Sequence, residues 1–446
     1  MKTLVILFTK LLIYIFSKFG RGTSLPGLIA LKLKPDIMTD LIMPRTVIAI
    51  TGSNGKTTTA EMVAKALAKS EMKVFFNKEG SNQTEGIASL LLRHCNLTGV
   101  LNFDAAVLEC DERYTKEIFR YIKPTHFVII NLYRDQLTRN AHPYYVLQYL
   151  KEAIDMLPDS TLILNADDPL ITSIGNTHKN TLYFGMEKNS YSTEKTDALY
   201  NDCHYCPLCK SVMHYDYFQF SHLGKYSCTG CDFKKPDTSF TISEPDLDTG
   251  EIHINGCRIT VGFASLYNIY NVCAAFSAAV CAGMADKAIA KALSEFVSEN
   301  GRLVHFEAGK NKGILLTSKH ENSTSYNQNL EYVSRADGSV TLVILIDEIS
   351  RKYYTNETGW LWDVSFEMIQ NTSIRKVILC GNYCYDLEVR FNMANITSAE
   401  IITEPDIGKM VEMISVPTND RIFVITCFSD KDKLYSRVRV NSPTAK

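Results

Sequence analysis

Residues 46–59, TVIAITGSNGKTTT, narrow the fold of this chain more than any other stretch. A β-branched apolar run, Val47 to Ile50, leads into Thr51-Gly52-Ser53-Asn54-Gly55-Lys56-Thr57-Thr58-Thr59. A helix-compatible segment, Ala60 to Ser70, follows. Strand, glycine loop and helix in that order belong to an α/β architecture. Such a loop turns backbone N–H groups toward an anion at a helix N-terminus, where the dipole also favours negative charge. Lys56 has the reach for β/γ-phosphates, and the Thr57 hydroxyl suits Mg²⁺. The spacing departs from GxxxxGK(S/T) at one place: Ile50 stands where the first glycine would be.

The rest of the chain repeats the alternation. Lys73 to Asn77 reads as a short strand, and Asp104 to Glu112 as a buried strand ending in acids. Thr125 to Leu132 and Ser160 to Asn165 are two more, with helix-like segments at Tyr114 to Tyr121 and Tyr144 to Met156. Strands alternating with helices imply a doubly wound parallel sheet, and polar residues at the carboxyl ends of such strands are where ligands bind. Gly250 to Ile259 reads as a hairpin turning at Asn255-Gly256. Tyr267 leads into an Ala-rich helix ending by Gly283, and Lys287 to Val297 forms another. Strands recur at Ile314–Lys319, Ser339–Asp347, Arg375–Cys380 and Arg421–Thr426, a second and smaller α/β domain.

Between these blocks the style changes. Cys206-Pro207-Leu208-Cys209 and Cys228-Thr229-Gly230-Cys231 are two CxxC pairs separated by 18 residues. Two thiolate pairs at this separation fit a tetrahedral Zn²⁺ held on two knuckles, and four thiolates leave no open position, so the zinc is structural. Cys203 stands three before Cys206 and competes as a ligand, but the CPxC order favours Cys206.

With 446 residues the chain has room for two or three domains. The formal net charge of −2 gives no electrostatic reason to expect nucleic acid, and the ribbon is aromatic more than basic. Thirteen cysteines, most of them scattered like Cys95, Cys110, Cys273 and Cys380, suit a reducing cytoplasm rather than a disulfide scaffold. The N-terminus is apolar from Leu4 to Phe16, with Lys2, Lys10 and Lys18 around and within it. No convincing cleavage site marks it as a signal peptide, and it is too short and too interrupted to span a bilayer. It is either a helix packed on the domain or one resting on the inner membrane face, through residues 1–20.

ITGSNGKTTT, LECDE, NLYRDQL, NADDP and LYNIYN together resemble the central ATPase domain of the Mur ligases. The four-cysteine insertion, LPGLIALKLKPD near the start and GWLWDVSFE in the last domain narrow the resemblance to the MurT-type subunits of lipid II isoglutaminyl synthases. The implied layout is an N-terminal helical segment at 1–45, a Mur-type ATP-binding domain at 46–301 with the zinc ribbon at about 198–240, and a C-terminal α/β domain at 302–446. The implied activity is ATP-dependent amidation of the D-glutamate α-carboxylate of the lipid II stem peptide to D-isoglutamine, through an acyl phosphate. Ammonia would come from a GatD-type glutaminase partner, at the cytoplasmic side.

Carried over by position, the resemblance implies that Gly52, Asn54, Gly55, Lys56 and Thr57 hold the phosphates. Thr57 and Glu109 are then the Mg²⁺ ligands, Asn268, Asn271 and Arg302 the further nucleotide contacts, and Cys206, Cys209, Cys228 and Cys231 the zinc ligands. An acid of the last domain completes the partner's catalytic triad in the family; here it is Asp363 or Glu357. Departures fall on the acceptor half. Thr138 and His142 replace acids of the NLYRDQL segment, and the Pro-Ala-Gly turn expected after Lys319 is gone, although Asn327 and Gln328 remain. Two other readings stay open: a Mur-type ligase acting on another carboxylate, and a nucleotide-binding subunit without chemistry.

Overall fold

Strand β1 (Thr46–Thr51) sits inside the first sheet and is buried on both sides. Ile48 and Ile50 enter one core and Val47 and Ala49 the other, which is why the strand reads as an unbroken apolar run. Its companions are β2 (Val74–Phe76), β3 (Ala105–Glu109), β4 (His126–Ile129), β5 (Thr161–Asn165) and β6 (Thr181–Met186). They stand in the order β6-β5-β4-β1-β3-β2, every pair parallel. With β3 on one side of β1 and β4 on the other, the strand order reverses at β1, and its carboxyl end opens into the crevice where such sheets bind ligands.

The computed structural model describes residues 1–18, 24–77, 81–196, 198–262, 265–297, 303–349 and 357–441. Its chain divides into two units. One contains Met1–Tyr133, His142–Thr196 and Asn201–Ser298; the other contains Arg134–Ala141, Asp197–Tyr200 and Glu299–Lys446.

In the first unit, the hairpin of β7 (Met213–Phe220) and β8 (Leu223–Cys228) carries the cysteine knuckles. After it the sheet continues through β9 (Phe240–Asp246), β10 (Glu251–Ile254) and β11 (Cys257–Thr260). β9 runs parallel to β6, whereas β10 and β11 are antiparallel neighbours, so the sheet is mixed at this edge. Asn255 and Gly256 turn the β10–β11 hairpin at φ of 48° and 76°, the left-handed pair that a two-residue turn needs. At the N-terminus, helices Lys2–Ser17 and Leu25–Leu33 pack beside helix Thr84–His94. Gly27 is held there by the Ser89 hydroxyl, which accepts its N–H at 2.7 Å, and no described helix is long and apolar enough to cross a membrane.

The second unit holds β12 (Leu303–Ala308), β13 (Asn311–Ser318), β14 (Val340–Leu345), β15 (Ile374–Cys380), β16 (Glu400–Glu404), β17 (Arg421–Cys427) and β18 (Arg439–Asn441). The order is β16-β15-β14-β17-β13-β12-β18, parallel from β16 to β13 and antiparallel beyond. Lys433 pairs with Asp347 after β14 and with Asp430 after β17, joining the carboxyl ends of two adjacent strands.

Candidate active site

The glycine loop leaves β1 and enters helix Lys56–Lys69 through Gly55, whose φ is 83°. No side chain caps this helix and no acid stands in its first turn, so its positive end is kept for an anion. A Cβ on Gly55 would lie 2.1 Å from Asn271 Oδ1, so only glycine lets the loop pass beneath that carboxamide. Asn271 is buried, and its Oδ1 has no hydrogen-bond partner among the described residues. Asn268, one turn earlier in helix Leu266–Cys281, is half-buried; Ser265 is the N-cap, accepting the Asn268 N–H at 3.2 Å.

Asn131, just beyond β4, fixes the loop. Its Oδ1 accepts the Asn54 N–H at 2.9 Å, its Nδ2 donates to Asn54 O at 3.1 Å, and its carbonyl accepts the Ser53 N–H. Lys56 Nζ donates to Gly52 O at 2.6 Å and pairs with Glu112 at 2.7 Å, both side chains almost fully buried. The Thr57 hydroxyl donates to Glu109 Oε2 at 2.8 Å, and Asn82 Nδ2 donates to Glu109 Oε1 at 3.0 Å. Asn77 brackets the Glu109 backbone through two further bonds. Next in sequence, burial and then the Glu109 charge push the Cys110 thiol well above its ordinary range, leaving it a core thiol rather than a nucleophile.

Gly52, Asn54, Gly55, Lys56, Thr57, Glu109 and Asn271 thus gather at one sheet edge, while Arg302 lies outside the described residues. Glu112 and Asn131 belong to the polar strand ends that the sequence marks as ligand-binding, whereas no sequence signal marks Asn82. The group fits a nucleotide triphosphate with Mg²⁺: a hydroxyl and a carboxylate oxygen adjoin a buried lysine and a glycine turn.

The four cysteine sulfurs Cys206, Cys209, Cys228 and Cys231 all lie within 4.8 Å of one another. Cys206 and Cys231 are 3.8 Å apart and Cys209 and Cys228 3.3 Å, against about 3.8 Å for a tetrahedral zinc with Zn–S near 2.3 Å. The donor set fits zinc. Cys203 is not among them; it is fully buried near Asp168 and His222. The two acids of NADDP fasten this insertion to the sheet. Asp167 accepts from the Tyr270 hydroxyl at 2.6 Å and from the Met186 N–H at 2.8 Å, and it pairs with Lys235. Asp168 caps helix Pro169–Gly175 and lies 3.5 Å from His222.

In the second unit, Asp135 is buried between Lys319 and Asn322, whose Nδ2 donates at 2.9 Å. Arg134 reaches Asp363 at 3.3 Å. Glu357 is exposed, and its Oε1 accepts the Gly359 N–H at 2.7 Å.

Residues 50–279 match the Mur ligase middle domain and residues 320–430 the MurT ligase C-terminal domain. The chain belongs to the Mur ligase family and is an ATP-dependent ligase by that membership. It is 28% identical over 391 residues to the MurT subunit of lipid II isoglutaminyl synthase (glutamine-hydrolyzing) from Staphylococcus aureus strain COL, covering 87% of this chain and 86% of that one. The protein of the same name from Streptococcus pneumoniae R6 is 28% identical over 427 residues, 93% of this chain and 92% of its own. Among solved structures, a pseudomurein peptide ligase type C from Methanothermus fervidus aligns with a TM-score of 0.69 at 21% identity, over 92% of this chain and 82% of that one. MurF from Acinetobacter baumannii aligns at 0.63 and 15% identity, over 92% and 79%. These two share the fold.

Proposed function

We propose that this chain is the synthetase subunit of an amidotransferase that converts the D-glutamate α-carboxylate of the lipid II stem peptide to D-isoglutamine. The observation that carries the reading is the likeness to two MurT subunits along most of the chain, in a chain that also has the assembled phosphate loop. In the reaction a carboxylate oxygen attacks the γ-phosphorus of ATP and ADP leaves. Ammonia then attacks the acyl carbon, phosphate leaves with the C–O electron pair, and the nitrogen loses a proton.

The residues of the loop serve the first step. Backbone N–H groups of residues 55–57 and the Lys56 ammonium hold the phosphates, and the ammonium neutralises charge as it moves to the leaving oxygen. Thr57 and Glu109 would hold Mg²⁺, which when bound supplies a positive centre for the β- and γ-oxygens. Glu112 pairs with Lys56 and positions its ammonium in the crevice. Asn271, with Asn268 and Arg302, belongs to the nucleotide side of the site in this reading. Zinc on the four cysteines has a structural role only.

Ammonia comes from a GatD-type glutaminase subunit, and an acid of this chain completes that partner's triad. Glu357 suits the role by exposure, whereas Asp363 is drawn to Arg134. The complex works at the cytoplasmic membrane face, where its lipid-carried acceptor lies, with contact through residues 1–20. The test is ADP release by this chain with its glutaminase, with and without lipid II in detergent, on glutamine or ammonia. Lipid II-dependent turnover on either nitrogen source supports the reading. Turnover that needs an added amino acid would make the chain an ordinary Mur-type ligase, and nucleotide binding without turnover would make it a silent subunit.

A further inference from the structure

Helix Lys2–Ser17 has two apolar faces, and the domain uses only one. Val5, Ile6, Thr9 and Ile13 are buried in the first unit. Leu4, Leu7, Phe8, Leu11, Tyr14 and Ile15 point outward, with Leu4, Leu7, Leu11 and Tyr14 exposed by 70, 53, 53 and 60%. At about 100° per residue these six share one third of the helix circumference, the side where a surface helix ordinarily carries charge.

Two cations adjoin that stripe. Lys10 lies at its edge, with Nζ donating to Arg93 O at 2.7 Å, and Lys18 lies over the Tyr14 ring at 4.5 Å. The first 35 residues contain six lysines and arginines and no acid, in a chain whose net charge is −2; one of the six, Lys34, pairs with Asp36 and Asp40 just beyond. A helix of 16 residues is about 24 Å long, short for a bilayer core, and Lys10 interrupts it, so it does not cross. An apolar outward face with a lysine at its edge, and with a lysine and an aromatic ring at its C-terminal end, suits a helix that lies in the plane of an anionic membrane.

We infer that the outward face of helix Lys2–Ser17 is a docking surface for an anionic lipid bilayer. A second copy of the chain offers this face no complementary charge, because helix Lys2–Ser17 contains no acid. The inference deepens the reading above, in which the acceptor is carried on a lipid, but its test needs no acceptor.

The full chain is floated with vesicles of phosphatidylcholine plus phosphatidylglycerol, and with phosphatidylcholine alone, none containing lipid II. Strong partition to the anionic vesicles is expected, weakening as salt rises. Leu7→Glu and Leu11→Glu each lower it by about tenfold or more, since each removes a buried leucine from the lipid phase. Lys18→Glu lowers partition to the anionic vesicles while leaving that to neutral ones unchanged. ATP turnover with acceptor in detergent stays unchanged in all three variants, which separates this inference from the amidation reading. Equal flotation with both vesicle types, or flotation indifferent to Leu7→Glu and Leu11→Glu, overturns it. So does a dimer in sedimentation that the same substitutions dissolve.

Discussion

Lys56 shows how much of the site hangs on single contacts. It is buried, yet it is satisfied by Gly52 O and Glu112 rather than by solvent. Lys56→Ala should therefore cost ATP turnover about a hundredfold or more, as removal of one preorganised charge stabiliser does elsewhere. Circular dichroism and the unfolding midpoint should show the fold retained; a variant that loses turnover by unfolding would refute the assignment. Gly55 and Gly256 make a sharper pair. Both have positive φ, 83° and 76°, so alanine strains either backbone by about 1 kcal/mol. A Cβ on Gly256 meets open space, whereas one on Gly55 meets the Asn271 carboxamide. Gly256→Ala should cost stability by that strain alone and leave ATP binding intact. Gly55→Ala should in addition weaken nucleotide binding, measured by calorimetric titration with an ATP analogue.

At the level of elements, the cysteine ribbon is a small unit whose four thiols fit a zinc ion. Its core consists of Met213, Tyr226 and Phe233 around Cys206, too little apolar surface to hold a hairpin by itself. Structural zinc supplies about 10–16 kcal/mol to comparable peptides, so Cys228→Ser should drop zinc from about one per chain toward none and loosen the hairpin. Elemental analysis with near-ultraviolet circular dichroism reads both effects, and unchanged zinc would show the ligand set to be wrong. The disturbance should reach the sheet edge, because Gly224 donates to Asp167 O at 3.0 Å and Lys235 pairs with the Asp167 carboxylate. The same region marks where the sequence stopped being legible. β1, β3, β4 and β5 are buried on both faces and read as apolar runs with polar ends. β9 does not: FTISEPD contains a proline, and Glu244 within it has φ of 50°. Its parallel partner β6 lies more than fifty residues earlier, across the insertion, so no local pattern announces the pairing. The knuckles were legible because four thiolates need fixed spacing. The bonds from Asn131 to the loop were not, because they join residues 77 apart.

If the proposed glutaminase partner supplies ammonia to this chain, the two candidate acids for its triad separate by environment. The Asp363 side chain is only 10% exposed and lies against Arg134, an arrangement that holds a segment in place. Glu357 stands in solvent, with one oxygen accepting the Gly359 N–H. The expected outcome is therefore asymmetric. Glu357→Gln should lower glutamine-driven turnover at least about tenfold and leave ammonia-driven turnover unchanged, because only the positioning of the partner's base is lost. Asp363→Asn should lower stability by about 1–2 kcal/mol and affect both nitrogen sources alike, because it weakens a charge-assisted bond within the second unit. Assaying both variants with glutamine and with ammonia reads the difference directly. If Asp363→Asn alone uncouples glutamine from ammonia, the roles are exchanged, and Arg134 then becomes the residue that positions the triad acid. Equal loss on both nitrogen sources from both variants would remove this segment from the partner's chemistry.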